Sequence, residues 1–153
     1  MVKKHMWQIL VLSILSVAVS TYLLYVHYTP STDICLPNSH GNNGCDIVNK
    51  SKYAEFFGIP LGLAGMGMFS LVAALAAMYI LDTKIHPKGV NKKKIVENVY
   101  KLILFNLLFV VYLVYVEVYL LHAICTFCTV LHVFIIYMFI TILLAKKKIT
   151  PKT

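Results

Sequence analysis

The chain has 153 residues, of which 59% are hydrophobic and 13% are charged, whereas a soluble domain carries roughly 25% charged residues. Its formal net charge of +8 comes from 14 basic residues, all of them Lys, and Arg is the residue that makes bidentate contacts to phosphates and bases. The composition therefore argues against a soluble protein and against nucleic-acid binding, and it favours a chain embedded in membrane lipid.

Four long apolar segments follow one another, at about residues 6–28, 59–81, 102–122 and 124–145. Among them, only the third contains an Asp, Glu, Lys or Arg, namely Glu117. About 20 apolar residues cross the hydrocarbon core as a helix, and lipid offers no partner to an unpaired backbone group. The segments predict an all-α membrane protein, in which residues 1–153 form one bundle of four transmembrane helices.

The lysines predict the orientation of this bundle. Twelve of them lie in the N-terminal tail, in the connection 82–101 and in the C-terminal tail. The connection 29–58 contains only Lys50 and Lys52, and the turn before the last helix contains none. Because Lys accumulates on the cytoplasmic side, we expect both termini in the cytoplasm. Loop 29–58 and the last turn should then face outside an integral, multi-pass cell-membrane protein.

This outer loop has two parts of different composition. Residues 29–44 are rich in Pro, Asn and Gly, which is typical of turns. Residues 46–57 predict a short amphipathic helix, which Gly58 and Pro60 would end. Its shared face comprises Ile47, Ser51, Ala54 and Phe57. We expect this helix to lie across the outer end of the bundle.

The four cysteines all lie on the predicted outer side, where disulfides form and persist. Cys35 and Cys45 are in the outer loop, and Cys125 and Cys128 form a C-x-x-C at the start of the last helix. A helix N-terminus lowers the pKa of a thiol, and the thiolate is the species that attacks a disulfide. The two pairs together favour a redox function.

Other interpretations of the cysteines remain open at this point. The two cysteines of the C-x-x-C could simply be small apolar residues of a membrane helix. A disulfide between Cys35 and Cys45 could have a purely structural role, although the Gly- and Asn-rich segment between them favours a mobile loop. A zinc site would need four converging thiolates, and the two pairs are far apart in the chain. We therefore expect no metal.

From Cys45 to Pro60 the chain resembles the signature of the vitamin K epoxide reductase (VKOR) family, in its prokaryotic branch. The signature is a Cys, a hydroxyl residue six positions later (here Ser51), an aromatic residue, and Gly-Ile-Pro opening the second helix. The C-x-x-C that opens the last helix matches as well, so the resemblance covers essentially the whole chain. Disulfide generators of the DsbB type carry their C-x-x-C in the first outer loop, and the order of the motifs therefore favours VKOR.

The resemblance implies a four-helix bundle around a quinone, such as ubiquinone or menaquinone, with the loop helix as a cap. It implies that a thioredoxin-like (DsbA-like) partner is oxidised and that its electrons pass to the quinone. Cys45 would accept them from the partner and Cys35 would relay them. Cys125 would then receive them, and Cys128 would face the quinone.

Two further positions follow from the resemblance. Ser51 matches a hydroxyl proposed to contact the quinone, and His132 stands where vertebrate members have a Tyr. The chain departs from the family in two respects, because the spacing between Cys35 and Cys45 is long and no fused thioredoxin-like domain follows the last helix. The partner is therefore expected to be a separate protein.

Two ionisable residues are expected near this quinone. Cys125, Cys128 and His132 share one face of the last helix, and Glu117 lies within the third. Ionisable residues inside a membrane are costly and usually functional, and one hypothesis is that a Glu117–His132 pair supplies the protons that quinone reduction requires. The alternative is a Glu117 that is protonated or reaches outward without a catalytic part.

The sequence as a whole predicts a quinone-dependent thiol oxidoreductase that generates disulfides outside the cell. One alternative is an enzyme whose function is to reduce quinone or vitamin K epoxide, with thiols outside the cell as the reductant. The other is a non-catalytic membrane protein stapled by two disulfides. A staple would resist mild reduction and would consume no quinone, which separates it from both enzymes.

Overall fold

A computed structural model describes residues 2–29, 44–85 and 91–149. Its elements are α1 (Val2–Tyr28), α2 (Gly44–Asn49), β1 (Glu55–Phe56), β2 (Ile59–Pro60), α3 (Leu61–Ile85), α4 (Lys92–Tyr115), a π-helical turn (Val116–Leu120) and α5 (Thr126–Ile149). Strands β1 and β2 pair antiparallel. The long helices dominate the described part of the chain.

Four of these segments are long and apolar enough to cross a membrane: Val2–Tyr28, Leu61–Leu81, Lys92–Leu120 and Thr126–Ile149. Helix α1 packs chiefly against α3 and also against α5, while α4 packs against α5 and α3. Large apolar side chains cover the outer surface of the bundle. Several polar side chains are buried within it, among them Ser13, Asn106, Glu117 and His132. The predicted all-α four-helix membrane bundle is confirmed.

The helices extend beyond the apolar segments that predict them. Helix α3 continues to Ile85, and α4 begins at Lys92, well before residue 102. The apolar segments mark where lipid begins, not where a helix ends, because Lys is a good helix former and its long side chain reaches water from the edge of the membrane. Much of the connection predicted at 82–101 is therefore helical.

The loop helix is shorter than predicted, and the prediction of a helix over 46–57 is wrong. Helix α2 ends at Asn49. The Ser51 hydroxyl donates to the carbonyl of Val48 at 2.8 Å, and Ser competes with helical backbone bonding in this way. The Ala54 N–H then bonds to the Ser51 carbonyl at 3.0 Å, which turns the chain towards β1.

The two short strands are joined by a two-residue turn in which both residues are left-handed. Phe57 has φ 54° and Gly58 has φ 77°, the combination that favours a tight hairpin. Phe57 is 92% exposed, so it does not lie on the buried face where the predicted helix would have placed it. Ile47 is also exposed, whereas Cys45, Val48 and Asn49 of α2 are buried.

Glycines in α3 allow a close approach to α1. A Cβ added to Gly62 would lie 2.9 Å from the backbone nitrogen of Leu24, and one added to Gly65 would lie 3.1 Å from the hydroxyl of Ser20. Small residues permit such close packing between membrane helices. A Cβ on Gly67 would meet nothing within 4 Å.

The buried side chains form two clusters. The larger includes Met6, Val99 and Ile142 and joins the Lys-rich ends of α1, α4 and α5. The smaller comprises Leu23, Cys45, Val48, Ala123, Cys125 and Cys128. It lies where α2 covers the end of α1 and the start of α5. Three of the four cysteines are thus part of one apolar core.

Candidate active site

Cys125 caps the N-terminus of α5. Its carbonyl accepts the backbone N–H of Thr129 at 2.9 Å, and its Sγ accepts the backbone N–H of Cys128 at 3.3 Å. This is the N-cap arrangement, in which a side chain pairs one of the unsatisfied N–H groups of the first turn. It agrees with the position that the C-x-x-C pattern predicts.

The surroundings of Cys125 favour its thiolate. A hydrogen bond from the Cys128 thiol lowers the pKa of Cys125, and the backbone N–H of Cys128 lowers it further. Burial and the nearby Glu117 carboxylate act in the opposite direction, but the pKa of Cys125 remains below the ordinary value of a thiol. Cys125 is therefore suited to act as nucleophile or leaving group in disulfide exchange.

Helix α2 brings a third sulfur to this thiol. The Sγ atoms of Cys45 and Cys125 lie 3.6 Å apart. Cys45 is disulfide-bonded, whereas Cys125 and Cys128 are free thiols. Bonded sulfurs are about 2.05 Å apart, so an approach of about 1.5 Å would let the Cys125 thiolate attack Cys45 and release the present disulfide partner of Cys45 as a thiolate. Cys35 lies outside the described residues.

All three described cysteines are buried. Cys125 is fully buried, Cys45 is 1% exposed and Cys128 is 7% exposed. The resemblance to VKOR assigns the exchange with Cys125 to Cys35 and contact with the partner protein to Cys45. In the described part of the chain, however, the loop sulfur that contacts Cys125 is that of Cys45.

A cavity of about 140 Å³ lies beneath the loop segment, between the long helices. Its wall is mostly apolar. The polar or reactive side chains among its lining residues are Ser20, Asn49, Ser51, Tyr53, Asn106, Cys128 and His132. The structure thus places Cys128, Ser51 and His132 around one cavity. Small apolar cavities with a few polar groups are typical of ligand sites.

His132 has an unsatisfied atom in this cavity wall. The residue is 8% exposed, and its Nε2 atom is buried without a hydrogen-bond partner in the described part of the chain. Buried polar atoms normally have partners, so an unpaired one on a cavity wall points to a ligand that pairs with it. The Ser51 hydroxyl, by contrast, already donates to Val48.

Glu117 contacts the cysteines and does not line the cavity. It lies in the π-helical turn and is 4% exposed, so it does not reach outward. Its carboxyl group interacts with the Cys128 thiol and with the backbone N–H of Cys125. Its Oε1 atom has no hydrogen-bond partner among the described residues. π-Helical turns occur frequently at functional sites.

Three polar residues of the site are not predicted from the sequence. Asn49 donates to the carbonyl of Cys45, and His27 pairs with the backbone carbonyl of Asn49. Asn106 is buried in α4, where its amide donates to the carbonyl of Leu102. The position of Asn106 within an apolar segment is a sequence signal that could have identified it. A residue such as His27, which meets its partner only through tertiary packing, leaves no such signal in the sequence. In the described ranges, no cluster of His, Cys, Asp and Glu is able to hold a metal ion.

A comparison with known protein families agrees with this arrangement. Residues 7–143 match the family model of the vitamin K epoxide reductase (VKOR) family, which is most of the 153-residue chain. The match includes the loop cysteines and the C-x-x-C, and it covers most of each of the four spans. The chain therefore belongs to the VKOR family, as a multi-pass membrane oxidoreductase with a redox function of the quinone or vitamin K epoxide reductase type.

Proposed function

We propose that the protein is a quinone-dependent thiol oxidoreductase that generates disulfides outside the cell. It oxidises a separate thioredoxin-like (DsbA-like) protein and passes the two electrons to membrane quinone. One observation carries the proposal: the sulfurs of Cys45 and Cys125 lie 3.6 Å apart, and Cys128, on the next turn, lines an apolar cavity. A continuous path therefore leads from the outer loop to lipid depth.

The internal transfer consists of two thiol–disulfide exchanges. When the partner has reduced the loop disulfide and Cys125 and Cys128 are joined in a disulfide, the Cys45 thiolate attacks Cys125 and releases Cys128 as a thiolate. The Cys35 thiolate then attacks Cys45, which re-forms the loop disulfide and releases Cys125. The products are an oxidised loop and a reduced C-x-x-C, and the described sulfurs have this combination: Cys45 is in a disulfide and Cys125 and Cys128 are thiols.

This order reverses the one that the family resemblance implies for the loop. Cys45 is 1% exposed and contacts Cys125, so it is poorly placed to meet a partner protein and well placed for internal exchange. We therefore assign the partner-facing role to Cys35. Electrons pass from the partner to Cys35 and Cys45, then to Cys125, and leave through Cys128.

The residues around the cavity fit a quinone head group. When bound, the quinone accepts two electrons and two protons. The apolar wall suits a ring held at lipid depth, and the unpaired Nε2 of His132 matches a carbonyl or hydroxyl oxygen, because an imidazole nitrogen either donates or accepts. Glu117 contacts the Cys128 thiol and is positioned to take its proton.

Two double variants test the internal step. In Cys35→Ala/Cys128→Ala, only Cys45 and Cys125 remain, and mild oxidation should join them in a disulfide. In Cys45→Ala/Cys128→Ala, the remaining Cys35 and Cys125 should stay largely unlinked. Peptide mass mapping under non-reducing conditions identifies the linked pair in each variant. Efficient linkage of Cys35 to Cys125, with none between Cys45 and Cys125, would restore the order that the resemblance implies.

A trapping experiment tests the partner-facing end. A thioredoxin-like protein without its resolving cysteine should accumulate as a mixed disulfide with the Cys45→Ala variant, through Cys35. It should not accumulate with Cys35→Ala, because Cys45 is buried. If neither variant forms a mixed disulfide while outside thiols still drive reduction of vitamin K epoxide, the epoxide reductase alternative is favoured.

A further inference from the structure

The Asn49 side chain lies between the two cysteines that exchange. Its Nδ2 atom donates to the backbone carbonyl of Cys45 at 3.0 Å and lies 3.8 Å from the Sγ of Cys125. Asn49 is 8% exposed. The amide therefore contacts a reacting sulfur within a buried, apolar cluster, although Asn49 belongs to no motif recognisable in the sequence.

The hydrogen-bond pattern fixes which way this amide points. A backbone carbonyl only accepts, so the atom facing Cys45 must be the NH₂ group. That group has two hydrogens, and the second is available to the Cys125 sulfur. The backbone N–H of Cys128 approaches the same sulfur from α5 at 3.3 Å. Two N–H groups from different elements thus converge on one thiol.

Two more residues hold Asn49 in this position. The Nδ1 atom of His27 pairs with the Asn49 backbone carbonyl, and its Nε2 atom lies 3.3 Å from a carboxylate oxygen of Glu55. Both ring nitrogens of His27 therefore face acceptor oxygens. His27 belongs to α1 and Glu55 to β1, so together they fix the end of α2 to the bundle and to the hairpin.

We propose that Asn49 is a catalytic residue that donates an N–H to the Cys125 thiolate each time this sulfur is released in exchange with Cys45. His27 and Glu55 are positioning residues for it. The inference rests on the proposed function for its biological use, but its physical content does not depend on quinone or partner. A thiolate released in an apolar core is costly unless hydrogen-bonded, and hydrogen bonds to ionised groups are the strong ones.

The test uses the full-length chain with Cys125 as its one cysteine, in the background Cys35→Ala/Cys45→Ala/Cys128→Ala. The ultraviolet absorbance of the thiolate, followed against pH, gives the apparent pKa of Cys125. Asn49→Leu removes the donor at similar volume, and Asn49→Asp replaces it with an acceptor. Both should raise the apparent pKa by about one unit or more, with the larger shift in Asn49→Asp.

Matched controls separate this role from general destabilisation. Asn98 is an exposed residue of α4, and Asn98→Leu should leave the titration unchanged. His27→Phe should shift it in the same direction as Asn49→Leu but by less, because Asn49 remains. If either Asn49 variant folds and titrates Cys125 as the parent does, the proposal is overturned.

A second readout applies the same variants to the exchange itself. In Cys35→Ala/Cys128→Ala, Asn49→Leu should slow formation of the Cys45–Cys125 disulfide about tenfold at neutral pH, and much of the loss should be recovered at higher pH. An equal loss at all pH values would indicate a structural role and overturn the proposal. If the Asn49 variants raise the apparent pKa of Cys125 as expected but the wild-type protein reduces no quinone, only the proposed function is overturned.

Discussion

Three groups surround the Cys125 sulfur at hydrogen-bonding or contact distance. They are the backbone N–H of Cys128, the thiol of Cys128 and the sulfur of the disulfide-bonded Cys45. The sequence predicts part of this environment, since the C-x-x-C spacing places Cys125 at a helix N-terminus. It does not predict that Cys45 is the sulfur in contact. That choice depends on how the loop folds over the bundle, which local spacing does not encode.

The same limit applies to the polar residues of the site. Ser51 and His132 are found through a family resemblance, and the structure places both on the cavity wall. Asn49 and His27 belong to separate elements and meet only through tertiary packing. A buried amide that donates to a thiol has no sequence signature of its own.

We predict that His132→Ala weakens the use of quinone more than it affects the loop cysteines. The variant removes the unpaired Nε2 atom from the cavity wall, and the loss of one hydrogen bond should raise KM for quinone by about three- to tenfold. Steady-state kinetics at varied quinone concentration measure this. Val133→Ala, on the exposed side of the same helix, is the control. An unchanged KM in His132→Ala would place the quinone elsewhere.

Glu117→Gln should slow electron exit without slowing the internal exchange. The carboxyl group contacts the Cys128 thiol, and loss of a proton acceptor typically costs about 100-fold or more. Quinol formation should fall accordingly, while Cys45–Cys125 linkage continues. Glu97→Gln is the matched control, because Glu97 is a half-exposed residue of α4 paired with Lys101. Equal rates of quinol formation in Glu117→Gln and the wild type would show that Glu117 has no catalytic role.

At the scale of the elements, the long helices follow from composition, but the cap does not. Apolar length predicts α1, α3, α4 and α5 because lipid permits few alternatives. The loop obeys local hydrogen bonding instead: Ser51 bonds back to Val48, and two left-handed residues close a hairpin. The π-helical turn that carries Glu117 is also not predicted by the apolar pattern, because the same residue types occur in α-helical and π-helical hydrogen bonding.

The contact between α1 and α3 can be tested with two glycines of the same helix. Gly62→Ala places a Cβ 2.9 Å from the Leu24 backbone, so the helices must separate, and overpacking of this kind typically costs about 1–3 kcal/mol. Gly67→Ala has open space and should be neutral or stabilise by up to about 1 kcal/mol through helix propensity.

Unfolding of both variants in the same detergent, followed by circular dichroism, measures the difference. The expected order of stability is Gly67→Ala, then wild type, then Gly62→Ala. A Gly62→Ala protein as stable as the wild type would show that the close approach of α3 to α1 is not a constraint on the fold.

At the scale of the whole molecule, four spans carry a buried redox site at the end of the bundle that α2 covers. The family match over residues 7–143 covers most of every span. The orientation in the membrane remains a prediction from the positions of the lysines. Under that orientation, α2 and the C-x-x-C lie on the outer side, where a disulfide-generating site is useful.

Labelling with a membrane-impermeant thiol reagent tests the orientation. In a chain whose four cysteines are replaced by Ala, Lys52→Cys and Lys93→Cys introduce single exposed thiols at opposite ends of the bundle. Intact cells should be labelled at Lys52→Cys and not at Lys93→Cys, and disruption of the membrane should make both reactive. The opposite pattern in intact cells would invert the topology.

The most direct test of the central claim is quinol formation by the purified protein, supplied with a reduced thioredoxin-like protein and a membrane quinone. The account predicts that the wild type forms one quinol for each partner disulfide. It also predicts that Cys128→Ser forms none, although its Cys45 still joins Cys125. A Cys128→Ser protein that reduces quinone at the wild-type rate would contradict the proposed path from Cys45 through Cys125 to Cys128.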